Sequence, residues 1–328
     1  MSKCIGKTFL QPIIKTHNME TIIIQGDNLK DKIFSEVKNE LTELKAKYNT
    51  VPVIAFIAVG EVPLSKYVIP LHVQTAEAAG FKVILERKPA NATEVEMFDL
   101  IDQLNANPDV HAIVLLQPLP EHLVPIRIIN RIDKEKEVEG FHPQNMLSTM
   151  IPDIQTQKYP MCLPTALLEL LEDAKVQLRK DQEWVFVLDD EFISNTLTHM
   201  VVKSAAAKAM PLDCSLSIVN KDSKHLIEYC QRADVLVVVT KHPEYIQPSW
   251  LKIGVCIVDV YSNLLKEVPS KKDPTKLMPI IRGGVNVESV KNIAGVIVPV
   301  PGGVVAVVLP ILLQNALIAF KQSLPKIL

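Results

Sequence analysis

Apolar positions along the chain fall into two regimes. Over residues 27–47 and 93–105 they recur three and four apart, the spacing that lines one helix face. Beside them stand short apolar runs at 52–59, 81–86 and 110–116, of strand length and rich in β-branched residues. Helices and strands alternating in this way predict a layered βα sheet. A second series begins near residue 160, with a helix over 166–171 and strands at 184–188, 216–219, 235–239, 255–260 and 296–298. These runs are apolar almost throughout, as parallel strands buried on both faces are. The pattern therefore predicts an α/β protein of two domains, the second Rossmann-like. The stretch 306–320 reads as an apolar helix with no strand after it, expected to return to the first domain. The expected division is a tail at 1–20, a first domain of 21–155 completed by 306–328, and a second domain of 156–305.

Composition narrows the choice of partner. The chain has 328 residues and a formal charge of -2, with 35 basic against 37 acidic side chains, which gives no general attraction to nucleic acid or to an anionic membrane. Residues 295–314 carry no charge and are long enough to span a bilayer. Pro299, Pro301, Pro310 and the Gly302–Gly303 pair interrupt them, so the expectation is a strand, a loop and a helix start. Five scattered cysteines without CxxC spacing suggest reduced thiols and no metal site. Residues 1–18 hold Lys3, Lys7 and Lys15 and no acid, the charge bias of a mitochondrial transit peptide; without arginine they read equally as a simple tail in a cytoplasmic protein.

Three segments in order carry a resemblance. Residues 110–122, VHAIVLLQPLPEH, are similar to VHGILVQLPLPxH; 136–145, KEVEGFHPQN, to KDVDGFHPxN; and 299–304, PVPGGV, to the same string. These motifs resemble the methylenetetrahydrofolate dehydrogenase/cyclohydrolase family. The resemblance implies a folate-type N-terminal domain, a Rossmann-like NAD(P)-binding domain with a cleft between them, a tetrahydrofolate-type substrate, NAD or NADP as cofactor, and a homodimer. Fold does not carry activity with it, so each site is read by residue.

On the folate side the family's YVxxK places a Tyr and a Lys one helical turn apart. Ser65 and Tyr67 fit its opening. Counting forward from Tyr67 puts the Lys position at Leu71, while counting back from Gly80 puts it at His72, a side chain able to move a proton near neutral pH. Pro70 lies between, so the helix is expected to start there or to kink. Gln117 stands one place after the family's Gln, and a one-residue shift on a strand turns it away from the site. Glu139 replaces an Asp that meets the pterin, and reads either as its longer substitute or as a solvated loop residue. Cys162 keeps the family's Cys, but Leu163 replaces its Thr. Pro301, Gly302 and Gly303 complete the substrate positions by resemblance.

On the cofactor side the resemblance points to Asp189, Ser194, Lys221 and Lys241. Asp189 and Asn195 stand where the family has glycines that let a diphosphate approach a helix N-terminus. Asp189, Asp190 and Glu191 would repel that diphosphate, although an acidic residue also serves as an ordinary helix N-cap. Lys241, Tyr261 and Val305 replace further family glycines and are expected to fill the cleft. Neither NAD nor NADP is expected to bind with ordinary affinity. Together these losses favour a non-catalytic binding or scaffold subunit over a working folate enzyme.

Overall fold

The computed structural model describes residues 20–150, 159–177, 179, 181–189, 197 and 214–325. Strand β1 (Ile22–Ile23) leads into helix α1 (Asp27–Tyr48), then β2 (Val53–Val59), α2 (Ser65–Ala79), β3 (Lys82–Lys88), α3 (Glu94–Ala106) and β4 (Ala112–Leu115). Short helices α4 (Pro125–Ile129) and α5 (Pro143–Met150) lead to α6 (Cys162–Asp173). The second half runs β5 (Glu183–Leu188), β6 (Ser215–Asn220), α7 (Leu226–Arg232), β7 (Val235–Val239), β8 (Cys256–Asp259), β9 (Asn263–Pro269), β10 (Leu277–Arg282), α8 (Val287–Val290), β11 (Val296–Val298) and α9 (Val304–Ser323).

The first sheet is parallel, in the order β3-β2-β4, and the second has six strands in the order β1-β11-β8-β7-β5-β6. Every residue of β2 and of β7 is buried, which is why both strands are apolar without alternation. In each sheet the first strand of the winding has one successor on either side, so the strand order reverses between β2 and β4 and again between β5 and β7. Such reversals open a crevice at the carboxyl ends of the strands, where α/β sheets take their ligands.

Two features depart from the sequence reading. Residues 22–23 pair with β11 and so extend the second sheet, not the first. β9 and β10 form an antiparallel hairpin that no strand pattern predicted, because Lys266, Glu267 and Pro279 break up its apolar positions.

Helix α9 is apolar on nearly every side because it is packed on nearly every side. By length and composition it would pass for a membrane span, yet twelve of its residues are buried. It lies against α6 and α1, and one core cluster joins residues of α1, β2 and β4 to residues of α6, β5, β7 and α9. Phe320 meets the ring of His111 edge-on at 5.0 Å. Asn315, 1 % exposed, donates to the carbonyls of Val138 and Pro160 at 2.8 and 2.9 Å.

Candidate functional site

The first reversal point holds a cavity. Ala58 at the end of β2 and Gly60 beyond it, Leu116 and Gln117 beyond β4, and Ser65 and Val68 on α2 line it. Helix α2 presents this face by simple periodicity: Ser65, Val68 and His72 stand three and four apart. Ser65 is fixed by the loop before it, its hydroxyl donating to the Val62 carbonyl at 2.7 Å and accepting from the Val62 amide at 3.2 Å. The His72 Nδ1 lies 2.8 Å from the Val68 carbonyl, so this nitrogen carries the proton and donates. The ring also stands edge-on to Phe56 at 5.8 Å. Burial in this apolar setting pulls the His72 pKa below its ordinary value, the Val68 carbonyl opposing only in part, so the ring is neutral at pH 7.

Two glutamates follow on the loop after β4. Glu137 is 2 % exposed and accepts from the amides of Glu139, Gly140 and His142 at 2.8 to 3.1 Å. Burial pushes its pKa up to about 7 against those bonds. Glu139 is half-buried, and among the described residues no hydrogen bond reaches its carboxylate. Burial first, and the charge of Glu137 second, hold its pKa well above the usual carboxylate range. The Cys162 thiol behind the loop lies 3.7 Å from the Val138 carbonyl and 3.5 Å from the Asn315 amide nitrogen. It is inert as a nucleophile, because burial raises its pKa well above that of a free thiol.

The second reversal point is laced. Asp189 follows β5, and its carboxylate crosses to the end of β7, accepting from the Thr240 hydroxyl at 2.7 Å and from the Lys241 amide at 2.9 and 3.0 Å. Its side chain is 6 % exposed, with the His242 ring 3.8 Å away. The donors that a diphosphate would use between these strands are already engaged, so the described residues here do not fit one.

Residues 24–139 match the family model "Tetrahydrofolate dehydrogenase/cyclohydrolase, catalytic domain" and residues 161–324 match its "NAD(P)-binding domain". The chain belongs to the tetrahydrofolate dehydrogenase/cyclohydrolase family. It is 34 % identical over 306 residues to "Bifunctional protein FolD" of Desulfosudis oleivorans, covering 93 % of this chain and 99 % of that one. The same protein of Desulfatibacillum aliphaticivorans is 34 % identical over 303 residues, covering 92 % and 98 %. Among solved structures, FolD of Campylobacter jejuni superposes with a TM-score of 0.76 at 26 % identity, covering 93 % of this chain and all of that one. The Trypanosoma brucei enzyme, determined with NADP cofactor and an inhibitor, gives 0.80 at 24 % identity over 93 % and 98 %. The two-domain α/β fold is therefore that of the FolD proteins.

Against this family the structure revises several site expectations. Helix α2 starts at Ser65 and runs through Pro70, which lies on its exposed side. The helix is unbroken to Gly80, and on it His72 shares a face with Ser65 and Val68, which line the cavity. This face favours the count back from Gly80, with His72 at the Lys position and Val68 at the Tyr position one turn before it. Leu71 is 57 % exposed and lies off that face. Tyr67, expected at the site, is on another face of α2, where its hydroxyl donates to Glu267 on β9 at 2.6 Å. Gln117, expected to turn away, lines the cavity, because β4 ends at Leu115 and strand alternation no longer governs it.

Pro301, Gly302 and Gly303 form the turn from β11 into α9 and do not line the cavity; Gly302 accepts from the Gly26 amide at 2.6 Å. Lys221 is paired with Asp222 at 2.7 Å, and Tyr261 packs on the shared core. Among the described residues the Asp189 carboxylate bonds across the crevice, to Thr240 and Lys241. Ser194, Asp190, Glu191 and Asn195 lie outside the described residues, as do residues 1–18. Among the described residues no group of three metal-ligating side chains occurs.

Sequence reasoning missed Val68, Thr240 and Glu267. The fixed distance from Gly80 back to His72 pointed to Val68. Nothing local marked Thr240 or Glu267, whose roles come from strands far apart in the chain.

Proposed function

We propose that this chain recognises a tetrahydrofolate-type ligand at the β2/β4 crevice and carries out the family's one-carbon interconversion weakly, with the cyclohydrolase step the most impaired. The observation that carries this reading is the face of α2 whose Ser65 and Val68 line the cavity and whose next turn carries a neutral His72. Hydrolysis of a methenyl carbon needs a group that accepts a proton and returns it. Valine has none to exchange, and the imidazole, held through Nδ1 by the Val68 carbonyl, has only Nε2 left to take a proton, on a ring whose burial disfavours the protonated form. Glu139 stays available to the ligand, since among the described residues no hydrogen bond reaches its carboxyl.

NAD or NADP is the cofactor class that the match of the second half supports, and a homodimer belongs to the same reading. A scaffold subunit that takes no small molecule is the second reading, favoured by the Asp189 bonds across the other crevice. Calorimetric titration with a tetrahydrofolate analogue, together with the decay of methenyltetrahydrofolate absorbance, tests both. Saturable binding is expected, with hydrolysis near the spontaneous rate in wild type and in His72→Ala alike. Turnover that disappears in His72→Ala would instead make this an active enzyme with a substituted base. Absence of binding would leave the scaffold.

A further inference from the structure

The two crevices of this protein are built alike and treated differently. In the first, the ends of β2 and β4 stand apart around a cavity. In the second, a side chain of the protein spans the equivalent place: Asp189, one residue past β5, takes the Thr240 hydroxyl and the Lys241 amide, one and two residues past β7. The Asp189 amide meanwhile donates to the Val239 carbonyl at 3.2 Å, so backbone and side chain together tie the strand ends. Thr240 Oγ1 is further engaged by the His242 amide at 3.2 Å. A reversal point is where a doubly wound sheet presents backbone N–H groups to a ligand's anionic part.

We infer that Asp189 decides what the second domain binds, by acting as the built-in anion of this crevice. An incoming diphosphate meets a negative charge in its place and finds the donors taken. Two charge-assisted hydrogen bonds must break before it can bind, and the displaced carboxylate has to be hydrated or repaired elsewhere. Among the described residues, the crevice is thus closed to phosphate-bearing ligands by one side chain and not by collapse of the sheet, whose β5 and β7 remain in register from Trp184 to Leu188. Removing the carboxylate would return the Thr240 hydroxyl and the Lys241 amide to a ligand without disturbing the strands. This inference concerns the second domain alone and is independent of the fate of the hydrolytic step.

The test is calorimetric titration of the full chain with NADP and NAD in wild type, Asp189→Asn and Asp189→Gly, alongside hydrogen exchange at the Lys241 amide. Asp189→Asn keeps one acceptor and removes the charge; Asp189→Gly removes both. The expected result is weak binding by wild type and a gain of about tenfold or more for Asp189→Gly, the worth of recovered hydrogen bonds to a charged group, with Asp189→Asn between them. The Lys241 amide should be protected in wild type, exchange faster in Asp189→Gly, and be protected again at saturating NADP. Wild type that binds NADP as tightly as both variants, or variants that remain folded and gain no affinity, would overturn the inference. If the glycine variant fails to fold, the Asp189→Asn titration decides alone, because loss of the charge must still raise affinity.

Discussion

The Tyr67 hydroxyl donates to the Glu267 carboxylate at 2.6 Å, and the neighbouring Lys66 ammonium pairs with the same carboxylate. The contact joins α2 of the first half to the hairpin of the second, beside the β2/β4 cavity but outside its lining. The Lys66 and Tyr67 bonds hold the Glu267 pKa below the usual carboxylate range, so the pairing persists across neutral pH. Tyr67→Phe should leave the affinity for a tetrahydrofolate analogue within about twofold, as for a substitution away from a site. A tenfold loss, measured by the same titration, would put the phenol back in the binding site.

Installing the missing pair is the converse experiment. The double substitution Val68→Tyr with His72→Lys sets a phenol and an amine one turn apart on the cavity side. If Ser65, Gln117 and Glu139 still hold the ligand, methenyltetrahydrofolate hydrolysis should rise by about 10²–10⁴ over wild type, the usual worth of general acid-base assistance. The burial that lowers the His72 pKa would lower that of a lysine there as well. The gained rate should therefore climb with pH and level off below the ordinary lysine value. A rate unchanged from wild type would mean that more than this pair has been lost.

Asp259 supplies a pH test of the second domain. It is 1 % exposed, accepts from the Gly284 and Val285 amides at 3.1 and 2.9 Å, and burial pushes its pKa up to about 7. A raised pKa means that folding favours the protonated form. The stabilisation is complete below the unfolded value and fades as pH rises through about 7. Asp259→Asn is neutral throughout, so the advantage of wild type over this variant should be largest below the unfolded pKa, shrink as pH rises from there to about 7, and stay level above it. Denaturant midpoints that differ by a constant amount over this range would contradict the assignment.

His111 gives the opposite sign. Its Nδ1 accepts from the Val53 amide at 3.1 Å, which requires the neutral ring, and burial holds its pKa below the ordinary value. Its contribution is present above the unfolded pKa and lost as pH falls below it. His111→Ala leaves the Val53 amide short of an acceptor and should cost about 1–3 kcal/mol at pH 8. Unfolding curves at that pH measure the loss, and a variant as stable as wild type would show that the bond contributes nothing.

Much of the fold was legible because it is set by local periodicity. The runs that became β2, β5, β7 and β8 are apolar because both faces are covered, and α1 shows its buried stripe of Leu29, Ile33, Val37 and Leu41 at helical spacing. The hairpin of β9 and β10 was illegible because its alternate positions are partly exposed on both faces. At the site, His72 was legible as one of two registers, and the face it shares with Ser65 and Val68 on α2 favours it over the exposed Leu71. Gln117 was misread because a strand rule was applied two residues past the end of a strand. The bonds of Asp189 to Thr240 and Lys241 depend on β5 and β7 lying side by side, which no local pattern of either segment states.

Asn315 bears on the loop that carries Glu139. From the middle of α9 its amide nitrogen donates to Val138 and Pro160, one carbonyl on either side of the chain segment that brings Glu139 and Cys162 together. Asn315→Ala strips both carbonyls of their donor in a buried place and should cost about 1–3 kcal/mol for each unsatisfied group, short of what repacking recovers. Asn315→Asp is the sharper variant. It matches the size of asparagine but turns an acceptor toward two acceptors, and it adds a carboxylate to a loop where the charge of Glu137 already helps to raise the Glu139 pKa. It should therefore be less stable than Asn315→Ala at pH 8 and recover part of the difference at pH 5, where protonation removes the repulsion and restores a donor. Affinity for the tetrahydrofolate analogue should fall in both variants, because Glu139 loses its anchored neighbour. An Asn315→Asp protein as stable as wild type at pH 8 would show that α9 does not hold this loop through Asn315.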